Sequence, residues 1–237
     1  MKYKGNARKA AFKLIFWSLV AVGVVWALGV FTVTATAVIT AVAVALTPVV
    51  VVLWIVFAIF TLYFFRDPEA RPPAGPNLIL APGHGKVDFI DSINEPHFMG
   101  GDCQRVSIFL SVIDIHVQNA PVGGKVAFFK HSTGQFLNAL KAASATHNEN
   151  VLLGFEASEP RGEKIGVRLI AGVLARRIVP FVKAGDEVDR GQRISLIQFG
   201  SRADVYLPAR AKINVKLGDH VVGGQTVLAT FEQVATS

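Results

Sequence analysis

Lys183-Ala184-Gly185-Asp186-Glu187-Val188-Asp189-Arg190-Gly191-Gln192 recurs 33 residues later as Lys216-Leu217-Gly218-Asp219-His220-Val221-Val222-Gly223-Gly224-Gln225. Each copy sets a Gly-Asp turn, where glycine accepts positive φ and aspartate can bond the turn backbone, before a short apolar step and a second glycine turn. A further echo lies upstream, where Ala81-Pro82-Gly83-His84-Gly85-Lys86-Val87 returns as Ala120-Pro121-Val122-Gly123-Gly124-Lys125-Val126. Between these turns, short Val- and Ile-rich runs alternate with Gly, Pro and Asp, as in Leu78-Ile79-Leu80, Val106 to Leu110, Ile178 to Val182 and Ile213 to Leu217. That spacing predicts a mainly β domain with a few helices. One helix is expected where Ser132 or Thr133 can cap a face of Phe136, Leu137, Leu140 and Ala143. The stretch 165–177 reads equally as a helix or as a buried strand.

The paired turns resemble those of the small barrel-sandwich of biotinyl and lipoyl domains, and that architecture is the expectation for residues 77–237. Those modules carry a cofactor arm on a mid-interval hairpin, whereas the one lysine between the repeats, Lys212, lies close to the second. Gly200-Ser201 sits nearer the middle, inside Leu196-Ile197-Gln198-Phe199-Gly200-Ser201-Arg202-Ala203-Asp204-Val205-Tyr206-Leu207-Pro208. A Gly-Ser bond between two strand-like runs can cut itself. The Ser201 hydroxyl attacks the Gly200 carbonyl to turn the amide into an ester, and elimination frees the Gly200 carboxylate and leaves dehydroalanine. Hydrolysis of that group releases ammonia and leaves a ketone, a pyruvoyl group, at a new N-terminus.

The N-terminal part is different in kind. Between Lys13 and Arg66 there are 52 residues without a charge, too apolar all round for an amphipathic surface helix. One helix over that stretch would be roughly 78 Å long at about 1.5 Å per residue, against a hydrocarbon core of about 30 Å. Two passes fit better, near 13–34 and 40–64, joined around Thr32, Thr34, Thr36 and Thr40, with Pro48 as a kink. The expectation is a transmembrane helical hairpin in an anchor over 1–65, a linker over 66–76 rich in proline, and a catalytic domain over 77–237. Lys2, Lys4, Arg8, Lys9 and Lys13 precede the first pass, while Arg66 and Arg71 follow the second, which places both outer ends in the cytoplasm.

The net charge of +7 suits contact with anionic membrane lipids. Motifs for binding nucleic acid are missing, so none is expected as a partner. The lone Cys103 excludes an intrachain disulfide, and His84, His97, His116, His131, His147 and His220 show no zinc spacing, so no metal is expected.

Four motifs stand in one order: Phe64-Phe65-Arg66-Asp67-Pro68; Asp114-Ile115-His116 with Ala120-Pro121 and Gly124-Lys125-Val126; Ala171-Gly172 with Ala175-Arg176-Arg177-Ile178-Val179; and Phe199-Gly200-Ser201-Arg202 with Asp204-Val205-Tyr206-Leu207-Pro208. From about residue 60 onward they resemble the short bacterial branch of the phosphatidylserine decarboxylases. The resemblance implies a membrane-bound, pyruvoyl-dependent carboxy-lyase of the bacterial inner membrane, with its catalytic domain in the cytoplasm. It would turn phosphatidylserine into phosphatidylethanolamine and CO2. It implies cleavage after Gly200 into a β chain, 1–200, and an α chain, 201–237, headed by a pyruvoyl group made from Ser201. That ketone would condense with the serine amine and take up the electrons released as CO2 leaves, the role pyridoxal phosphate fills elsewhere. His116 matches the family histidine tied to decarboxylation, where an imidazole can move a proton. Arg202, Arg176 and Arg177 are the candidates to hold phosphate or carboxylate. A homo-oligomer is left open.

The chain departs from the family pattern at two places. His84 stands where the family has an aspartate tied to self-cleavage, and Asn119 stands where relatives have Arg or a second His. An imidazole also accepts a proton, so His84 either supports activation of Ser201 or stalls maturation. The alternative reading is therefore an unprocessed, non-catalytic homologue that binds lipid or acts as a scaffold.

Overall fold

The computed structural model describes residues 5–32, 37–135, 148–172, 177–198 and 201–231. They fall into two units, a helical one over Gly5–Asp67 and a β unit that begins at Pro68. In the helical unit α1 covers Asn6–Thr32 and α2 covers Ala37–Phe64 with Pro48 inside it. Both are long and apolar enough to cross a membrane, and an unbroken helix is the form that satisfies its own backbone groups there. Trp54 Nε1 donates to Ser18 Oγ at 3.0 Å, tying the two helices together. Residues 33–36, at the predicted connection, lie outside the described residues, as does 136–147, where a capped helix was expected.

The β unit contains β1 Leu78–Leu80, β2 Gly85–Glu95, β3 Gly101–Leu110, β4 Val117–Asn119, β5 Gly124–Ser132, β6 Asn150–Ala157 and β7 Lys164–Ala171. It continues with β8 Ile178–Pro180, β9 Glu187–Val188, β10 Arg193–Ile197, β11 Ser201–Leu207, β12 Lys212–Ile213, β13 His220–Val221 and β14 Val227–Thr230. Of the stretch 165–177 left open between helix and strand, residues 165–171 belong to the strand β7, and 173–176 lie outside the described residues. The strand carries apolar residues on both faces because both are covered, which hides the two-residue period.

Eight strands form one sheet in the order β13-β2-β3-β11-β7-β6-β5-β9, with smaller sheets β1-β14-β12 and β4-β10-β8. The order reads as a duplication about an axis through Val205 of β11 and Val167 of β7, which pair with each other. Asp204 pairs with Arg168 as Tyr206 pairs with Gly166. Lys86 faces Phe109 as Lys125 faces Glu156, and the register slips after Val87 as it slips after Val126.

The repeated turns are the hinges of each half. Val87 N–H donates to Asp219 O at 2.9 Å and Val126 N–H to Asp186 O at 2.8 Å. Asp219 Oδ2 accepts the Lys216 N–H and Asp186 Oδ2 the Lys183 N–H. Gly85 (φ +155°) and Gly124 (φ +139°) hold equivalent places, and a Cβ there would lie 2.1 Å from Phe109 O or 2.2 Å from Glu156 O. No other residue permits the strands to close at these two corners.

One face of the large sheet packs on the main core, with Val106, Ile108, Leu110, Val167, Leu169, Ala203, Val205 and Leu207 buried there. The opposite face is also covered, but by a polar layer. Ser107 donates to the fully buried Asp204, and Arg105 grips Asp91 through Nε and Nη2 at 2.8 and 2.6 Å. Phe98, on the turn after β2, lies over Gly154 of β6 and stacks near Phe128 at 5.9 Å.

Candidate active site

Ser201 opens β11, where it pairs with Leu110 on one side and Ala171 on the other. Alternation along a strand puts Ser201 on the same face as Ala203, Val205 and Leu207, toward the apolar core. Its hydroxyl is fully buried and has no hydrogen-bond partner among the described residues. Such burial costs about 1–3 kcal/mol, so packing stability alone gives no reason for a serine here. Phe199 and Gly200, on the far side of the expected cleavage point, lie outside the described residues.

The turn that carries His84 comes to the same end of the sheet. A Cβ on Gly83 would lie 3.4 Å from Cδ2 of Leu110, the residue paired with Ser201. The Gly223 N–H donates to His84 Nδ1 at 3.3 Å, so the neutral ring carries its proton on Nε2. Asn119 reaches the same glycine: a Cβ on Gly223 would meet His84 Nδ1 at 3.0 Å and Asn119 Oδ1 at 3.2 Å. Asn119 also donates through Nδ2 to Gly191 O at 2.9 Å. The two departures from the family pattern thus share one glycine.

His116 is buried just ahead of β4. Its Nδ1 lies 3.0 Å from the Asp114 carbonyl, which can only accept, so Nδ1 is the protonated position and Nε2 the accepting one. The His116 carbonyl accepts from Ile197 N–H at 3.0 Å and from Gln118 Nε2 at 2.7 Å. Through Ile197 the histidine is fixed beside the strand end that leads to Gly200 and Ser201.

The arginines separate. Arg202 is buried, but it lies on the sheet face opposite Ser201, held by Asp88 through Nη1 at 3.0 Å and Nη2 at 2.6 Å and lying 4.9 Å from the centre of the Phe89 ring. Burial pushes the Asp88 carboxyl above its ordinary range, more than the Arg202 guanidinium pulls it down. Arg177 is exposed, and Arg176 lies outside the described residues. The structure therefore brings Ser201, His116 and His84 to one end of the β unit and turns Arg202 away from it.

Sequence reasoning missed three buried polar residues at this end. Asn148 Nδ2 donates to the carbonyl of Ala171, the β7 partner of Ser201, at 2.7 Å. Gln118 and Ser195 are paired between β4 and β10, and Gln118 Oε1 and Ser195 Oγ are buried with no partner among the described residues. The only local signal was a polar residue inside an apolar run, as in Arg193-Ile194-Ser195-Leu196-Ile197. No group of three or more potential metal ligands occurs among the described residues.

Residues 57–229 match the family model described as phosphatidylserine decarboxylase. A phosphatidylserine decarboxylase proenzyme of Symbiobacterium thermophilum is 43% identical over 176 residues, 74% of this chain and 81% of that protein. Those of Gluconobacter oxydans and Desulfotalea psychrophila are 44% identical over 178 residues and 40% identical over 169, covering 74% and 71% of this chain and 78% of each relative. With Ser201 and His116 placed by the fold at one end of its sheet, the chain belongs to the phosphatidylserine decarboxylase family.

Proposed function

We propose that this chain is a membrane-anchored decarboxylase of phosphatidylserine, held by α1 and α2, and that Ser201 becomes its pyruvoyl group after the chain cuts itself behind Gly200. The observation that carries the reading is the Ser201 hydroxyl, buried without a partner among the described residues at the first residue of β11. A nucleophile for an intramolecular acyl shift needs a lone pair not committed elsewhere and a fixed position. The pairings of Ser201 with Leu110 and Ala171 supply that position. Once formed, the ketone supplies an electron sink for the carbon that loses CO2.

The surrounding residues divide the proton work. His116, with its proton fixed on Nδ1 by the Asp114 carbonyl, accepts at Nε2 and returns a proton to the carbon in place of CO2. His84 has the opposite tautomer and donates from Nε2, so it steadies negative charge on an oxygen during cleavage rather than acting as the base. Arg202, clamped by Asp88, positions the start of β11 from the other face. The overall change is loss of CO2 from the α carbon of the serine headgroup and gain of one proton at that α carbon.

The second reading, an unprocessed lipid-binding homologue, is favoured by the joint departure at His84 and Asn119. Intact mass and CO2 release separate the two. The enzyme gives a ketone-bearing fragment of residues 201–237 and releases CO2, and Ser201→Ala loses both. A wild-type chain that stays whole and inert, or a Ser201→Ala variant that keeps activity, overturns the pyruvoyl reading.

A further inference from the structure

Outside the helical unit, the described residues leave three large apolar side chains exposed: Val112 at 40%, Ile113 at 61% and Leu217 at 63%. All three lie at the Ser201 end of the β unit. Leu110, the β3 partner of Ser201, leads directly into Ser111-Val112-Ile113-Asp114, and the Asp114 carbonyl holds His116. Leu217 sits in the turn before β13, and His220 Nε2 of that strand lies 3.3 Å from Asp114 Oδ1, joining the two turns.

The duplication supplies an internal control. The turn that carries Leu217 has a counterpart in the other half, where Ala184 holds the equivalent place. The half remote from Ser201 builds that turn without a large exposed apolar side chain, so the fold does not demand Leu217 where it stands.

Charge completes the pattern. Lys86 and Lys216 are exposed around these turns, and His220 is 64% exposed. The acids among them are engaged, Asp219 by the Lys216 N–H and Asp114 by the Ser111 N–H and His220. Apolar tips flanked by lysines fit a bilayer surface with anionic headgroups.

We infer that Val112, Ile113 and Leu217 form a rim that dips into an anionic bilayer and sets the Ser201 end against the lipid headgroups. The inference rests on the reading of the substrate as a bilayer lipid and adds the surface through which the β unit reaches it. The test uses the full chain in nanodiscs containing phosphatidylserine, with Ser201→Ala so that no lipid is consumed. An environment-sensitive fluorophore is placed at Ile113→Cys, with His97→Cys on the opposite turn of the β2–β3 hairpin as control. Cys103 is buried and its thiol is pushed up to about 11 by burial first and by Glu95 and Asp102 next, so it resists labelling.

Lipids with brominated acyl chains should quench the label at 113 at least about twofold more than at 97. Equal quenching overturns the inference, as does shielding of 113 that rises with protein concentration alone, which marks contact between copies. In the otherwise native chain, Val112→Asp with Ile113→Asp should cut CO2 release from bilayer phosphatidylserine about tenfold and leave a dispersed short-chain phosphatidylserine within about twofold. Equal loss on both substrates places the turn in the catalytic site and overturns the rim. A native chain that releases no CO2 from either substrate overturns the decarboxylase reading but leaves the quenching result to stand by itself.

Discussion

His84 and Asn119 close on the two sides of Gly223, where a Cβ would lie 3.0 Å from His84 Nδ1 and 3.2 Å from Asn119 Oδ1. Gly223→Ala therefore moves both side chains by a few tenths of an ångström. Self-cleavage, followed as the loss of full-length chain with time, should slow about tenfold or more, as small displacements near reacting groups do. The melting temperature should fall little, since the contacts to be relieved include side-chain ends. Unchanged cleavage would remove His84 from the maturation step.

Ser201→Ala deletes a buried hydroxyl that has no partner among the described residues. The variant should remain one chain and release no CO2. Compared with uncleaved native precursor, it should be more stable by about 1 kcal/mol, because a buried unpaired hydroxyl is replaced by an apolar group. Chemical denaturation of the two precursors checks this, and a marked loss of stability would mean that the hydroxyl has a partner in the folded chain.

Asp88 is the bidentate partner of the buried Arg202. Asp88→Ala removes the bidentate carboxylate from a buried guanidinium and should destabilise the chain by about 3 kcal/mol. Arg202→Met added to Asp88→Ala should recover most of the loss, since the buried guanidinium is then removed as well. Denaturation of the two variants beside the native chain measures the recovery.

Glu95 caps the turn after β2 by accepting from the N–H groups of His97, Phe98 and Met99 at 3.0, 2.8 and 2.8 Å. Burial alone would raise its pKa, but the three donors outweigh that effect and hold it below the ordinary carboxylate range. A lowered folded-state pKa gives stability that is present above the unfolded value and lost as pH falls through the folded value. Glu95→Gln should therefore cost about 1 kcal/mol at neutral pH, and the difference from the native chain should vanish in acid below the folded-state value. A difference independent of pH would remove the charge from the argument.

The legible features were those carried by neighbours in the chain. Two long uncharged apolar runs specify α1 and α2 whatever they pack against, and the Gly-Asp turns specify the corners before β9 and β13. Gly200-Ser201 stood out through its flanking runs, and His116 through its motif. The segment Lys164–Ala171 was not legible, because a strand covered on both faces shows no alternation.

The role of Arg202 was not legible either. Its sequence position beside Ser201 suggested a ligand for phosphate or carboxylate, yet consecutive residues of a strand point to opposite faces, and its partner Asp88 lies in another strand region. The same holds for Asn148, which touches the site through the carbonyl of Ala171. By itself the sequence determined the local elements, the duplicated turns and the Gly200-Ser201 bond proposed for cleavage, because each depends on residues within one turn or strand. Tertiary structure decided which face each side chain takes, that His84 and Asn119 share Gly223, and that the Ser201 hydroxyl is buried without a partner among the described residues. Those depend on strand register between segments far apart in the chain, and a shift of one residue would reverse every one of them.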